Sequence, residues 1–454
     1  MRKHILAPAL AAGILVGLAA VLEAQPFRAS DPGVRGDPAG AGGHLEGLDE
    51  VRRGLFQAGL EDFLERETVA DGLGPRFNLT GCGGCHGEPA TGGTSGPRNF
   101  QAGIPTTFTG NRPLSFIRED GPVREVRFKY HPDGSRDGGV HNLFVITGGP
   151  GAAGCDIRQE DFEAQVRRGN AIFRIPTPLF GAGLIEQIPD RTILANHTAA
   201  AGQKAVFGIR GRANRIRISG IANRNDNDGT VARFGWKAQN KSLLLFSGEA
   251  YNVEMGITNE LFQSERDETP GCQFAPTPND VTAAEANGNG NPLAAGLSGV
   301  EKFALFMRFL APPTPAPETD STRRGRQLFG AVGCALCHTP TLRTGNAAVP
   351  ALRDKAVNLY SDLLLHQMGP GLADDIVQGE AGPDEFRTAP LWGLGQRIFF
   401  LHDGRTKDLA EAIQLHRSGP DRRFGPSEAN RVVDNYNRLS EREKQDMLNF
   451  LRSL

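Results

Sequence analysis

Beyond its first two dozen residues, the 454-residue sequence has no run apolar enough to span a bilayer, so a multi-spanning membrane protein is excluded. It also lacks a basic stripe. Its 50 Lys and Arg stand against 52 Asp and Glu, a balance that argues against nucleic acid as a partner. No acidic loop of calcium-binding spacing is present. Cysteine is sparse, with six residues in all and none near position 24, which excludes a lipidated cysteine at the start of an exported chain.

What the first residues do contain is an export signal. Arg2 and Lys3 supply a positive start, Ile5 to Leu22 an apolar run, and Leu22-Glu23-Ala24 a small-residue cleavage site. Pro8, Gly13 and Gly17 interrupt the run and no basic stop-transfer cluster follows it. Residues 1–24 are therefore expected to be removed as a signal peptide, leaving a periplasmic protein with no membrane span.

The six cysteines are not scattered. Cys82-Gly83-Gly84-Cys85-His86 recurs as Cys334-Ala335-Leu336-Cys337-His338, and Cys-x-x-Cys-His is the attachment sequence of a c-type haem. The two thiols add to the porphyrin vinyl groups and the adjacent His becomes an axial iron ligand. A zinc site would place its ligand pairs within a few tens of residues, whereas these units lie about 250 apart. A thioredoxin-like pair would need free thiols and no following His. Two covalently bound haems are expected, one on Cys82, Cys85 and His86, the other on Cys334, Cys337 and His338. That leaves Cys155 and Cys272, which in an oxidising compartment are expected to form a disulfide.

Composition shifts divide the chain. Residues 25–45 are rich in Gly, Pro and Ala and read as a flexible leader. Ala311-Pro312-Pro313-Thr314-Pro315-Ala316-Pro317 can be neither helix nor central strand, so 311–320 reads as a linker. It separates an N-terminal haem domain, 46–310, from a C-terminal one, 321–454. Each ends alike: Leu297-Ser298-Gly299-Val300-Glu301-Lys302 opens a helix ending near Leu310, and Leu439-Ser440-Glu441-Arg442-Glu443-Lys444 one ending near Leu451. Both carry a Ser-x-x-Glu capping box ahead of apolar positions at helical spacing. Residues 120–240 show strand-like alternation at Val123–Phe128 and Arg215–Ile218, with a turn signal at Asn225-Asp226-Asn227-Asp228-Gly229, and Asn287–Asn291 reads as a loop. The expected fold is mainly α: tandem cytochrome-c-like helical domains with a β-containing insertion in the first.

Several segments carry a family resemblance. They are Gly74-Pro75-Arg76-Phe77-Asn78, Leu184-Ile185-Glu186-Gln187-Ile188-Pro189, Arg233-Phe234-Gly235-Trp236-Lys237-Ala238 and Glu254-Met255-Gly256-Ile257-Thr258-Asn259. Later come Asp362-Leu363-Leu364-Leu365-His366-Gln367-Met368-Gly369, Thr388-Ala389-Pro390-Leu391-Trp392-Gly393 and Leu401-His402-Asp403-Gly404-Arg405. Together they resemble the di-haem oxidoreductase family, also labelled thiol oxidoreductases, and more distantly the bacterial di-haem cytochrome c peroxidases. The thiol label gets no support, since both Cys-x-x-Cys pairs are assigned to haem.

The distant resemblance implies roles. It implies an N-terminal haem that reacts with hydrogen peroxide or another small oxidant, and a C-terminal haem that relays electrons from a small soluble electron-carrier protein. It puts Trp236 between the haems and Glu254 over the first iron, although Gly235 is inserted and Lys237 replaces an Asp of the family pattern. Peroxide cleavage wants a base there that takes a proton from one oxygen and returns it to the other; Glu186 is the rival carboxylate. The helical run 409–416 holds no Met and ends in His416, so a bis-His second haem is expected, of lower potential than a His/Met one. Met368 is the next candidate ligand, then His366. His402 is expected at a haem propionate with Arg405. Met255 would pack over the first haem; Met307 and Met447 read as core, and His131, His141 and His197 as surface or satisfied core. The resemblance also carries an interdomain calcium ion. Two other readings stay open: an electron-transfer cytochrome with both irons six-coordinate, and an oxygenase on the same scaffold.

Overall fold

Two pairs of crossed helices carry the architecture, one pair in each half of the chain. In the first, helix Glu50–Leu64 packs on helix Gly299–Phe309. In the second, Asp320–Val332 packs on Glu441–Ser453. The computed structural model describes residues 27–36, 38–215, 231–283, 292 and 294–454. The expected signal at 1–24, most of the 215–218 alternation, the 225–229 turn and the 287–291 loop lie outside the described residues.

Local chemistry explains where these helices start. The Asp49 side chain accepts from the Arg52 amide. Ser298 with Glu301 and Ser440 with Glu443 form the two expected capping boxes, each satisfying otherwise unpaired end donors. Both pairs cross at a glycine. A Cβ on Gly59 would lie 2.3 Å from the Lys302 carbonyl oxygen, and one on Gly325 would lie 2.0 Å from that of Asp446. Backbone contact this close excludes any larger side chain.

Short antiparallel strands fill in around the helix pairs. Glu125–Phe128 is central in a three-stranded sheet, flanked by Val140–His141 and Ala171–Arg174. This is the expected insertion. Arg127 is buried because both faces of the strand are covered. The second half is not purely helical either: Leu342–Arg343 pairs with Ala356–Val357, and Leu365–Gln367 with Glu385–Arg387.

The expected leader and linker need correction. Residues 29–36 and 38–45 are docked, not free. Asp31 forms a buried ion pair with Arg452 at 2.6 Å, the Ala29 amide donates to Glu441, and the leader pairs with the Pro-rich segment through Thr314 N to Gly40 O at 2.8 Å and Ala311 N to Gly43 O at 2.9 Å. A Gly- and Pro-rich chain has few apolar anchors, so its composition reads as flexible; here one carboxylate and a backbone ladder hold it. Nor does 311–320 divide the core. The larger hydrophobic cluster runs from the first helix pair into Leu342–Leu364 and Trp392, while a second surrounds the C-terminal helices. Charge also joins the halves: Arg174 and Lys237 both bind Asp374, at 2.5 and 3.1 Å, with all three side chains buried.

Cys155 and Cys272 stand with Cα atoms 4.7 Å apart, inside disulfide reach and consistent with the expected pairing. Among the described residues no helix is long and apolar enough to cross a membrane.

Candidate functional site

Each Cys-x-x-Cys-His segment follows a long helix, makes one tight turn, and opens onto a large cavity. In the turns the His86 amide donates to Cys82 O at 3.0 Å and the His338 amide to Cys334 O at 2.9 Å. Cys82, Cys85 and His86 line one cavity; Cys334, Cys337 and His338 line a second. The four thiols are unpaired. His86 Nδ1 faces the Gly93 carbonyl at 2.9 Å, and His338 Nδ1 faces that of Tyr360 at 3.0 Å. A backbone carbonyl on Nδ1 fixes the tautomer and leaves Nε2 for a metal. Burial pushes both imidazoles down to about 4, so both are neutral at pH 7.

The rest of the two linings differs. In the first stands Glu254, whose Oε2 accepts from Asn78 Nδ2 at 2.7 Å. Beside it is Glu125, hydrogen-bonded to Glu254 and held by Arg127 Nε at 2.6 Å. Burial, then the charge of Glu125 and the hydrogen bond to it, raise Glu254 well above the carboxylate range. Burial would raise Glu125 too, but the charge of Arg127, the bond with Glu254 and Arg174 hold it low. In the second cavity stands His416, its Nδ1 committed to Ala412 O at 2.8 Å, with Met368 on the same lining. His366 also lines this cavity, but Glu428 at 2.7 Å and Asp362 at 3.0 Å occupy its two ring nitrogens. No ring nitrogen is left for a metal there.

Trp236 lines both cavities. Its indole N–H donates to Ile175 O at 2.8 Å, and its ring lies 6.4 Å from that of His402, edge to face. His402, on the second cavity, stacks on Phe386 at 4.4 Å, and burial drives it down to about 4. Three other expectations fare differently. Glu186 lines neither large cavity; its carboxylate accepts from the Leu243 amide at 2.9 Å and from Arg308 Nε at 2.8 Å, capping helix Leu243–Met255. Arg405 also lines neither, since its guanidinium binds Asp403 at 2.7 Å and Gly371 O at 2.9 Å. For the third, the calcium of the resemblance, no cluster of three or more His, Cys, Asp or Glu among the described residues marks a site. Met255 and Met307 line the first cavity and Met447 the second. His141 is satisfied core, between Glu160 and Asp137 at 2.8 Å each.

Sequence reading gave no role to five residues of the cavity walls. Glu125 was noted only within a strand-like run. Arg387 and Arg397 are buried on the second cavity, and among the described residues no carboxylate pairs with either. Burial and their mutual repulsion lower Arg387 to about 10, and burial with the charge of Arg452 lowers Arg397 to about 10. On the first cavity, Arg124 Nε is buried without a partner, as is the side-chain oxygen of Gln239. Buried cations without counter-charge are costly. The linings fit a haem: apolar walls would suit the ring, the thiols its vinyl groups, a neutral imidazole the iron, and the guanidinium groups its two carboxylate arms.

Two sites of this kind in one chain mark a redox protein of the di-haem class. The chain belongs to the family described as "Di-haem oxidoreductase, putative peroxidase", whose sequence profile matches residues 150–454. That span takes in Glu254 and the second attachment segment and begins beyond the first. No curated protein matches the chain. Among solved structures, the diheme peroxidase BthA from Burkholderia thailandensis E264 is 16% identical over 49% of this chain and 65% of its own, with TM-score 0.29. A MauG-like protein associated with microbial copper homeostasis is 20% identical over 34% of this chain and 55% of its own, with TM-score 0.23. Kuenenia stuttgartiensis hydrazine synthase is 18% identical over 37% and 60%, with TM-score 0.22. The chain thus spans less than two thirds of the length of each, and at these TM-scores the likenesses carry no argument.

Proposed function

We propose that this protein is a periplasmic di-haem c oxidoreductase that reduces hydrogen peroxide in the first cavity, with electrons entering through the second from a small soluble electron-carrier protein. Cys82, Cys85 and His86 would hold one haem; Cys334, Cys337 and His338 would hold the other, with His416 as its second axial ligand. When bound, such a group supplies a redox-active iron that binds a small oxidant and passes electrons.

The observation that carries this reading is the inequality of the two cavities. A carboxyl group raised well above its ordinary range by burial and by Glu125 shares one lining with an attachment segment, and an imidazole with only its Nδ1 committed shares the other. Glu254 is placed to give its proton to the departing peroxide oxygen and to take one from the other, and Asn78 orients it. Trp236, in the wall common to both cavities, offers a route for electrons. Arg387 and Arg397 would fix the second haem through its carboxylate arms, and Arg124 the first.

Glu254→Gln keeps the shape and removes the proton chemistry. Peroxide turnover of the haem-loaded variant is expected to fall by about 10²–10⁴-fold with haem content intact; equal turnover would remove Glu254 from the reaction. One observation favours the second reading, a pure electron-transfer cytochrome: Met255 and Met307 line the first cavity, and a thioether ligand there would close the first iron. Two low-spin centres that stay unchanged with peroxide, even after partial reduction, would decide for it.

A further inference from the structure

Glu125 came from no motif, yet it is the group nearest in kind to Glu254 and touches it. Two carboxyl groups can be hydrogen-bonded to each other only if one carries a proton. Arg127 decides which one: its Nε lies 2.6 Å from Glu125 Oε1, and its Nη1 is spent on Gly138 O at 2.9 Å. Both residues stand on the same strand two positions apart, hence on one face. Glu254 comes from helix Leu243–Met255 and has only the neutral Asn78 amide, at 2.7 Å, as its other partner. Further charges around the pair are Arg174 from the neighbouring strand, which acts on Glu125, and Glu249 of the Glu254 helix, which acts on Arg127.

We propose that Glu125 is a positioning residue for the acid–base chemistry: pinned as a carboxylate by Arg127, it holds the shared proton on Glu254, so that Glu254 begins each turnover as an acid and the pair works as one unit. This rests on the proposed role of Glu254. The proton count closes. One proton leaves the pair for the departing peroxide oxygen as the oxygen–oxygen bond breaks, and one is taken from the other peroxide oxygen, so the pair ends as it began. The two electrons and two further protons that complete reduction to water come from the carrier protein and from solvent. A lone carboxyl would have to choose between accepting and donating; a pair with one proton can do both.

The test is the carbonyl stretch of a protonated carboxylic acid, followed by infrared difference spectroscopy of the haem-loaded protein over roughly pH 5–9. The native protein should show this band at neutral pH, and Glu254→Gln should abolish it. Glu125→Gln, which touches neither haem nor Glu254 covalently, should lower the pH midpoint of the band by roughly two units. If Glu125→Gln fails to take up haem, Glu125→Asp decides instead, with a smaller fall in the same direction. A midpoint unmoved in the variant that loads, or no such band in the native protein, overturns the proposal. A band that depends on Glu125 in a protein that does not consume peroxide would keep the pair and remove the peroxidase reading.

Discussion

The two cavities share one side and differ on the other. On the shared side, helix, turn, Cys-x-x-Cys-His and a carbonyl on Nδ1 repeat from Glu50–Gly93 to Asp320–Tyr360, and an aromatic ring stands near each imidazole, Phe63 at 5.9 Å and Phe329 at 6.3 Å. On the other side nothing repeats. The first cavity is closed by the inserted strand Glu125–Phe128 and helix Leu243–Met255, the second by helix Leu409–Leu415 with His416 at its end. The likeness thus lies around the Cys-x-x-Cys-His segments, and the difference in the segments that have no counterpart in the other half. The electrostatics divide in the same way. Near the first cavity carboxyls are driven to hold protons, Glu254 and Glu67 among them. Near the second, Asp362 and Glu428 are held as carboxylates around the His366 cation, with burial opposing in each case.

The sharpest way to break the comparison is Glu254→Gln, with its expected turnover loss of about two to four orders of magnitude. The loss should come without any change in the absorption spectrum of the second centre; a change at both would mean that the cavities are not independent. Next in size is the tie across the first half. Replacing Cys155 and Cys272 together by Ala removes a cross-link spanning 117 positions and should cost about 2–5 kcal/mol in denaturant unfolding. An unchanged midpoint would mean that the thiols are not joined.

A third test uses pH. Burial, opposed by the Tyr251 hydrogen bond and aided by nearby carboxylates, raises Glu67 from 4.5 to about 7. Between those values the folded state keeps a proton that the unfolded chain has released. The contribution of Glu67 is therefore full below pH 4.5 and lost as pH rises through 7. Glu67→Gln should flatten that fall by about 2–3 kcal/mol. Asp362, held below its ordinary value, has the opposite sign: its contribution is present above pH 3.8 and lost only in acid. The smallest effect tests the shared side. Gly59→Ala and Gly325→Ala each force a methyl against a facing backbone and should each cost about 1–3 kcal/mol. Clearly unequal costs would show that the two helix pairs are not equivalent.

Much of this was legible in the sequence, and the reasons are local. Capping boxes at Ser298 and Ser440, the attachment segments and the end helices depend on residues within a few positions of one another. Trp236 and Glu254 were placed by resemblance, and the geometry puts both on the first cavity. What stayed hidden depends on partners far along the chain. Arg127 and Glu125 read only as part of a strand-like run because nothing local reveals that helix Leu243–Met255 covers them; opposite charges two apart on a strand were the one available signal. Arg387 and Arg397 sit among apolar residues that read as core, and their lack of carboxylate partners is visible only in three dimensions. Glu186 was conspicuous as a carboxylate in an apolar run, yet its partner Arg308 lies 122 positions away and consumes it.

The central claim, that the two irons meet unequal surroundings and only one reacts, is tested most directly by electron paramagnetic resonance of the haem-loaded protein titrated with hydrogen peroxide. The expected result is two distinct centres, one of which changes at once while the other follows only as an electron store. Two identical low-spin signals that peroxide leaves untouched would contradict it.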